Sequence, residues 1–259
     1  MCAMRTLNED SRRDFVQSFA RGLEVIRAFR SDRPAMTLSE VADAVGITRA
    51  AARRLLLTLV EEGYACLEGG RFQLTPRVLD LGYSYLAGLG PWSGAQAILT
   101  EVTHKLGESC SLSVLEGDEV VYVARVTASR MMTLNLRVGS RLPAFHTSTG
   151  RVMLAYLPAS DAEALFRGRT FERLTPHTVT SHEGLRDILR QTRRQGWCLC
   201  DQELEVGLIS LAVPIHDRTG AVVAALNLSA EASRMTVKTL VESALPVLQR
   251  AAETLSRLS

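Results

Sequence analysis

The chain has 259 residues, 46% of them hydrophobic and 22% charged, a length that favours two domains and a composition ordinary for a packed globular protein. Disordered, collagen-like and disulfide-scaffold classes are excluded. Thirty basic residues against 28 acidic ones leave a net charge of +2, so any nucleic-acid contact has to come from local clusters rather than from overall charge.

The first ten residues carry acids where a signal peptide needs an apolar core, and the five cysteines at 2, 66, 110, 198 and 200 fit a reducing compartment. A cytoplasmic protein is expected. From Phe15 to Arg30, the residues Phe15, Phe19, Leu23, Ile26 and Phe29 follow helical spacing, and this first helix ends before Asp32-Arg33-Pro34. Thr37-Leu38-Ser39-Glu40 has the form of a capping box opening a second helix to about Val45. Gly46-Ile47 then turns, Thr48 caps a third helix reaching Glu62, and Gly63 stops it. Tyr64 to Leu67 and Arg71 to Leu74 flank Gly69-Gly70, a two-residue turn that favours a hairpin. Helix, helix, turn, helix, hairpin is the order of a winged helix-turn-helix. Pro76 starts another helix through about Leu86, and the uncharged, glycine-rich run from Leu81 to Thr100 reads as helix end plus linker rather than a membrane span.

Beyond Ala95 helices alternate with hairpins: Cys110 to Leu115 and Val120 to Val126 around Gly117-Asp118, then Ser210 to Ile215 and Val222 to Leu228 around Asp217 to Gly220. Helical segments are expected near Gly150 to Tyr156, Ser160 to Phe166 and His182 to Gln195. A final helix from about Val237 is expected to kink at Pro246. This is an α+β pattern with an antiparallel sheet.

At 100° per residue, Ala52, Leu55, Leu56 and Leu59 share one face of the third helix. The other face presents Ala50, Arg53, Arg54 and Leu57, with Arg49 at its edge, and no acid occurs from Ala44 to Val60. Arginines beside small alanines suit close approach to a major groove lined by phosphates and guanine acceptors, and Arg71 adds a cation on the wing.

Ser18 to Ile26, Leu38 to Ala42, Gly46-Ile-Thr, Arg54 to Tyr64 and Leu74 to Gly82 resemble the DNA-binding half of IclR-type transcriptional regulators. Ser148-Thr-Gly-Arg-Val-Met-Leu-Ala155 and Gly207 to Ile215 resemble the effector-binding half. Cys200-Asp-Gln-Glu-Leu-Glu-Val-Gly207, with Arg13 to Gln17, is most similar to the branch regulating protocatechuate, 4-hydroxybenzoate and β-ketoadipate catabolism. Positions 50 and 51, often polar in the family, are both alanine here, so base reading falls to Arg49, Arg53 and Arg54.

The resemblance implies a tail over 1–14, a winged helix-turn-helix over 15–75, a linker helix over 76–94 and a GAF-like effector-binding domain over 95–259. It also implies a ligand pocket built from Ser148, Thr149 and Gly150, from Asp201, Leu208 and Ser210, and from Asn227 and Ser229. Ser148 to Gly150 stand at an expected helix start, whose amides favour a carboxylate. Asn227 and Ser229, two apart on a strand, share a face. Arg125, Arg137 and Arg141 are candidates for a second anion, although a solvated strand-edge role is the simpler reading of each. His146 reads as a structural hydrogen-bonder.

Cys198-x-Cys200 and the His177/His182 pair match no zinc signature, and no phosphate loop, G-x-S-x-G elbow or HExxH occurs, so no metal, cofactor or catalytic residue is expected. The expected partners are double-stranded operator DNA, a small carboxylate effector of the protocatechuate, 4-hydroxybenzoate or β-ketoadipate class, and a second copy of the chain in a homodimer or dimer of dimers; no membrane partner is expected. A regulator answering a non-aromatic acid, an enzymatic C-terminal domain, and a domain serving assembly alone stay open as alternatives.

Overall fold

The computed structural model describes residues 14–30, 32–88, 94–128 and 136–258. Apart from Asp14, the expected N-terminal tail lies outside them, as do Gly90 and Pro91 of the linker. The chain divides into two compact units that part after Gly88.

In the first unit, α1 (Gln17–Ala28) starts two residues later than the apolar stripe, with no side-chain cap at Val16. Only Val25 of this helix is buried; Phe15, Val16, Phe19 and Leu23 stay largely exposed. A short strand that the sequence reading omits, β1 (Ala35–Thr37), leads into α2 (Leu38–Val45). The capping box forms as expected: the Thr37 hydroxyl accepts from the Glu40 amide, and the Glu40 carboxylate accepts from the Thr37 amide. Gly46, at φ 69°, ends α2 in the left-handed conformation. Helix α3 (Arg49–Glu61) is capped by the Thr48 hydroxyl, which accepts from the Ala51 amide.

Strands β2 (Ala65–Glu68) and β3 (Arg71–Leu74) meet through Gly69 and Gly70, both at positive φ, as this hairpin turn requires. β1 joins the other edge of β3, setting Met36 opposite Phe72. Val25, Met36, Val41, Leu56 and Phe72 form the core. The following helix opens as a 3-10 turn at Pro76–Val78, where proline's missing N–H costs nothing, and continues as α4 (Leu79–Gly88).

The second unit opens with α5 (Ala95–Leu106), followed by the hairpin β4 (Ser109–Glu116) and β5 (Glu119–Val126), then β6 (Arg141–Pro143). A 3-10 turn at Ala144–His146 runs into α6 (Ser148–Tyr156), α7 (Ala159–Phe166) and α8 (His182–Gln195). β7 (Cys198–Asp201), β8 (Leu208–His216) and β9 (Val222–Glu231) complete an antiparallel sheet ordered β6-β5-β4-β9-β8-β7. α9 (Val237–Thr239), a π-helical turn (Leu240–Ala244) and α10 (Leu245–Leu258) close the unit. Where a kink is expected, the widened turn stands just before Pro246, which has no N–H to donate to the carbonyl four residues back and whose ring crowds it.

Helices lie on both faces of the sheet. Leu99, Leu112, Leu226, Leu228, Leu248 and Leu255 belong to the apolar cluster under α5 and α10. Alternation along the strands sends Ala225, Asn227 and Ser229 of β9, with Ser109, Ser111 and Ser113 of β4, to the opposite face, which α6 covers. All six are buried. A buried face of hydroxyls and an amide is costly unless something partners it, and this marks where to seek a ligand.

Candidate DNA-binding and effector sites

On α3, Arg49, Ala50, Arg53, Arg54 and Leu57 are exposed while Ala52 and Leu56 are buried, so the helix presents the face its pattern implied. Arg54 is set apart from Arg53. It borders an open groove of about 730 Å3 with Phe19, Leu23, Ile26, Leu55 and Leu81, leaving Ala50, Arg53 and Leu57 on the outer face. Arg71 is engaged within the unit. Its guanidinium donates to the Ala35 carbonyl at 2.9 Å and to the Glu40 carboxylate at 3.3 Å, tying the wing to the cap of α2. Hydrogen bonds from the Thr37 amide and hydroxyl, with Arg71 beside them, hold the Glu40 carboxyl below its usual range.

In the second unit a cavity of about 20 Å3 lies between the sheet and the start of α6. One wall carries His146, Thr147, Ser148 and Thr149; the other carries Ser210, Asn227 and Ser229. Tyr122, Leu136, Cys200, Glu203, Leu204 and Leu208 complete it. Among the described residues, three buried atoms on these walls have no partner: His146 Nδ1, Thr149 Oγ1 and Asn227 Oδ1. The Asn227 side-chain NH2 donates to Ser229 Oγ at 3.0 Å.

Beneath this cavity is a buried ion pair. The Arg151 guanidinium, 0% exposed, meets the Glu203 carboxylate through two parallel bonds of 2.5 and 2.6 Å. Its Nε donates to the Phe145 carbonyl, and one amino group lies 3.4 Å from Cys200 Sγ. The Glu203 carboxylate also accepts from the Val179 amide, while its carbonyl accepts from the Thr178 hydroxyl. Burial alone would raise the Glu203 carboxyl, but the hydrogen bonds and charge of Arg151 outweigh it and hold the carboxyl below its usual range. Burial pushes the Tyr122 phenol up to about 12, so it stays neutral.

Residues 18–66 match the IclR helix-turn-helix domain, and residues 84–257 match the C-terminal domain of bacterial transcriptional regulators of the IclR type. The chain belongs to the IclR family. Among relatives of this IclR regulator, the Pca regulon regulatory protein of Pseudomonas putida is 40% identical over 243 residues, 93% of this chain and 84% of that protein. The p-hydroxybenzoate hydroxylase transcriptional activator of Acinetobacter baylyi is 35% identical over 250 residues, 95% and 92% of the two chains. The crystal structure of an IclR homolog complexed with 4-hydroxybenzoate, from Microbacterium hydrocarbonoxydans, superposes with a TM-score of 0.84 at 26% identity, covering 93% of this chain and 98% of that one.

Of the eight positions read from sequence as effector contacts in this IclR regulator, Ser148, Thr149, Leu208, Ser210, Asn227 and Ser229 come together around the cavity. Two do not. Asp201 is exposed, because strand alternation in β7 turns Cys198 and Cys200 inward and their neighbours away. Gly150 offers no free amide, since its N–H is donated to Thr147 Oγ1. That glycine has a packing role: a Cβ at this position would lie 2.1 Å from the Ala144 carbonyl oxygen. Thr147, rather than Ser148, caps α6.

Among the candidate arginines, Arg141 is paired with Glu116 and Glu119 at 2.7 Å, and Arg137 is exposed. Arg125 is half-buried and donates to Ser111 Oγ at 2.7 Å. The sequence reading missed the Arg151–Glu203 pair and the cavity positions Tyr122, Leu136, Thr147, Cys200 and Leu204. Strand alternation from Ser210 could have found Cys200, its partner across β7 and β8. Among the described residues, no cluster of His, Cys, Asp or Glu could hold a metal, and no helix is long and apolar enough to cross a membrane.

Proposed function

We propose that this regulator controls an aromatic-acid catabolic operon, binding operator DNA through α3 and adjusting that binding to a small carboxylate held in the cavity. The observation that carries the effector reading is the set of buried, unpartnered polar atoms around the start of α6, Thr149 Oγ1 and Asn227 Oδ1 among them. Buried polar groups are ordinarily satisfied, so this set fits a ligand that brings its own donors and acceptors. The helix N-terminus favours an anion there, and no acceptor among the described residues takes the Ser148 or Thr149 amide. The aromatic class is supported by two similar proteins, the p-hydroxybenzoate hydroxylase transcriptional activator and the homolog complexed with 4-hydroxybenzoate; protocatechuate and the non-aromatic β-ketoadipate enter through the resemblance carried by Cys200 to Gly207.

A volume of about 20 Å3 holds roughly one water, so an acid with a ring binds only by moving the wall. Such a ligand necessarily favours one arrangement of the unit over another, which is what linkage to DNA affinity requires. A thermal-shift series should show stabilisation that grows with ligand concentration for protocatechuate, 4-hydroxybenzoate or β-ketoadipate and weakens in Thr149→Val and Ser229→Ala. Stabilisation by pyruvate or glyoxylate alone would remove the aromatic reading; no response to any acid would remove the effector reading.

The DNA reading places the protein in the cytoplasm as a homodimer or dimer of dimers, with paired α3 helices on a palindromic site. Phe15, Phe19 and Leu81, each more than half exposed, would supply apolar surface for the partner copy. On duplexes selected from a random pool, Arg53→Ala should cost about 1 to 3 kcal/mol and relax sequence preference. Arg54→Ala should weaken all sequences alike and flatten the salt dependence. Unchanged anisotropy titrations for both variants would remove α3 as the recognition helix.

A further inference from the structure

His146 occupies the last position of the 3-10 turn before α6, is 5% exposed and lines the cavity. Its Nε2 lies 3.2 Å from the Glu172 carbonyl oxygen. A carbonyl only accepts, so Nε2 carries the hydrogen. In the neutral ring Nδ1 is then a bare acceptor, and it is buried with no partner. The ring stays neutral because burial, followed by the Arg151 guanidinium, pushes the imidazolium below its ordinary range.

Among the described residues none of the hydroxyls on the cavity walls, those of Tyr122, Thr147, Ser148, Thr149, Ser210 and Ser229, bonds to it. The Glu203 carboxylate is itself an acceptor and is already taken by Arg151 and the Val179 amide. The Asn227 side-chain NH2 is spent on Ser229. The free amides of Ser148 and Thr149 suit a carboxylate, and a carboxylate brings no donor to Nδ1.

We infer that His146 is the specificity residue that accepts a hydroxyl of the effector through Nδ1. This rests on the effector reading above. A bound acid without a hydroxyl leaves Nδ1 buried and unmatched, a penalty that corresponds to about a tenfold loss of affinity or more. Sites built to bond a hydroxyl reject analogues lacking it far more strongly than apolar pockets reject a missing methylene.

The test is isothermal titration of the full chain with benzoate, 3-hydroxybenzoate, 4-hydroxybenzoate and 4-methoxybenzoate. In the wild type, one hydroxybenzoate should bind about tenfold or more tighter than both benzoate and the methyl ether. His146→Gln puts an amide N–H where Nε2 stands, keeping the bond to Glu172 while removing Nδ1, and should bring the ratio of hydroxybenzoate to benzoate affinity close to one. His146→Asn restores an acceptor near the position of Nδ1 and should keep the preference. Retention of the preference in His146→Gln overturns the assignment. Equal binding of benzoate and both hydroxybenzoates by the wild type also overturns it, and this comparison decides the matter if His146→Gln does not fold. That second outcome leaves the effector reading standing, whereas no binding of any acid removes both.

Discussion

Replacing Arg151 with methionine should lower the stability of the effector-binding unit by about 3 to 5 kcal/mol, because it strands the Glu203 carboxylate in the interior. The pair is bidentate and sealed from solvent, Arg151 being 0% and Glu203 7% exposed. It joins α6 to the segment between β7 and β8 that carries Leu204, so the loss should also weaken effector binding. The double variant Arg151→Met/Glu203→Leu should recover much of the stability, since no buried charge is then left alone. The pH dependence has a definite sign. A carboxyl held below its unfolded value contributes stability above that value, near 4.3 for glutamate, and the contribution is lost as pH falls through the lowered folded value. Urea midpoints should therefore fall more steeply with acidification in the wild type than in the double variant. An unchanged midpoint for Arg151→Met at neutral pH would show that the pair contributes nothing.

Gly150→Ala should be as damaging through geometry alone. Its new methyl would stand 2.1 Å from the Ala144 carbonyl oxygen and 2.4 Å from the Ala144 Cα, so backbone has to give way. Relief requires α6 to move off the 3-10 turn that carries His146, disturbing both walls of the cavity. The cost should reach the upper end of core overpacking, about 3 kcal/mol or more, and lower Tm by about 10 °C. Gly94→Ala is the matched control: among the described residues its methyl would meet nothing nearer than the Leu258 side chain at 3.8 Å. Equal melting temperatures for the two variants would contradict the close approach.

What the sequence made legible was local. The Thr37/Glu40 box, the Gly69-Gly70 turn and the register around Gly117-Asp118 each depend on residues within a few positions of one another, and each formed as its chemistry requires. The short edge strands β1 and β6 escaped notice because three residues beside a proline carry no periodicity, and pairing from elsewhere in the chain makes them strands. The Cys198-x-Cys200 spacing, which matches no zinc signature, marks the inward face of β7. Arg151 stood in plain view within the Ser148 to Ala155 motif, yet nothing nearby foretold its partner 52 positions on. Asp201 was drawn in by the company of its motif, and only the alternation of β7 shows that it faces outward. Six cavity positions came from the family resemblance, and helix starts and strand alternation support it at Ser148, Thr149, Asn227 and Ser229 because they govern which side chains can converge.

The strand order has a consequence for synthesis. The first unit, with four helices and a three-stranded sheet among the described residues, holds all of its strand pairings within residues up to Gly88. The cavity wall is different: β4, which begins at Ser109, pairs with β9, which ends at Glu231. Pairing across such a separation pays loop-closure entropy before any contact repays it, so this sheet is the slower part of the chain to assemble. On the ribosome the helix-turn-helix can therefore fold while the central strand of the other unit is still being translated. A nascent chain completes its helix-turn-helix before both walls of the cavity exist.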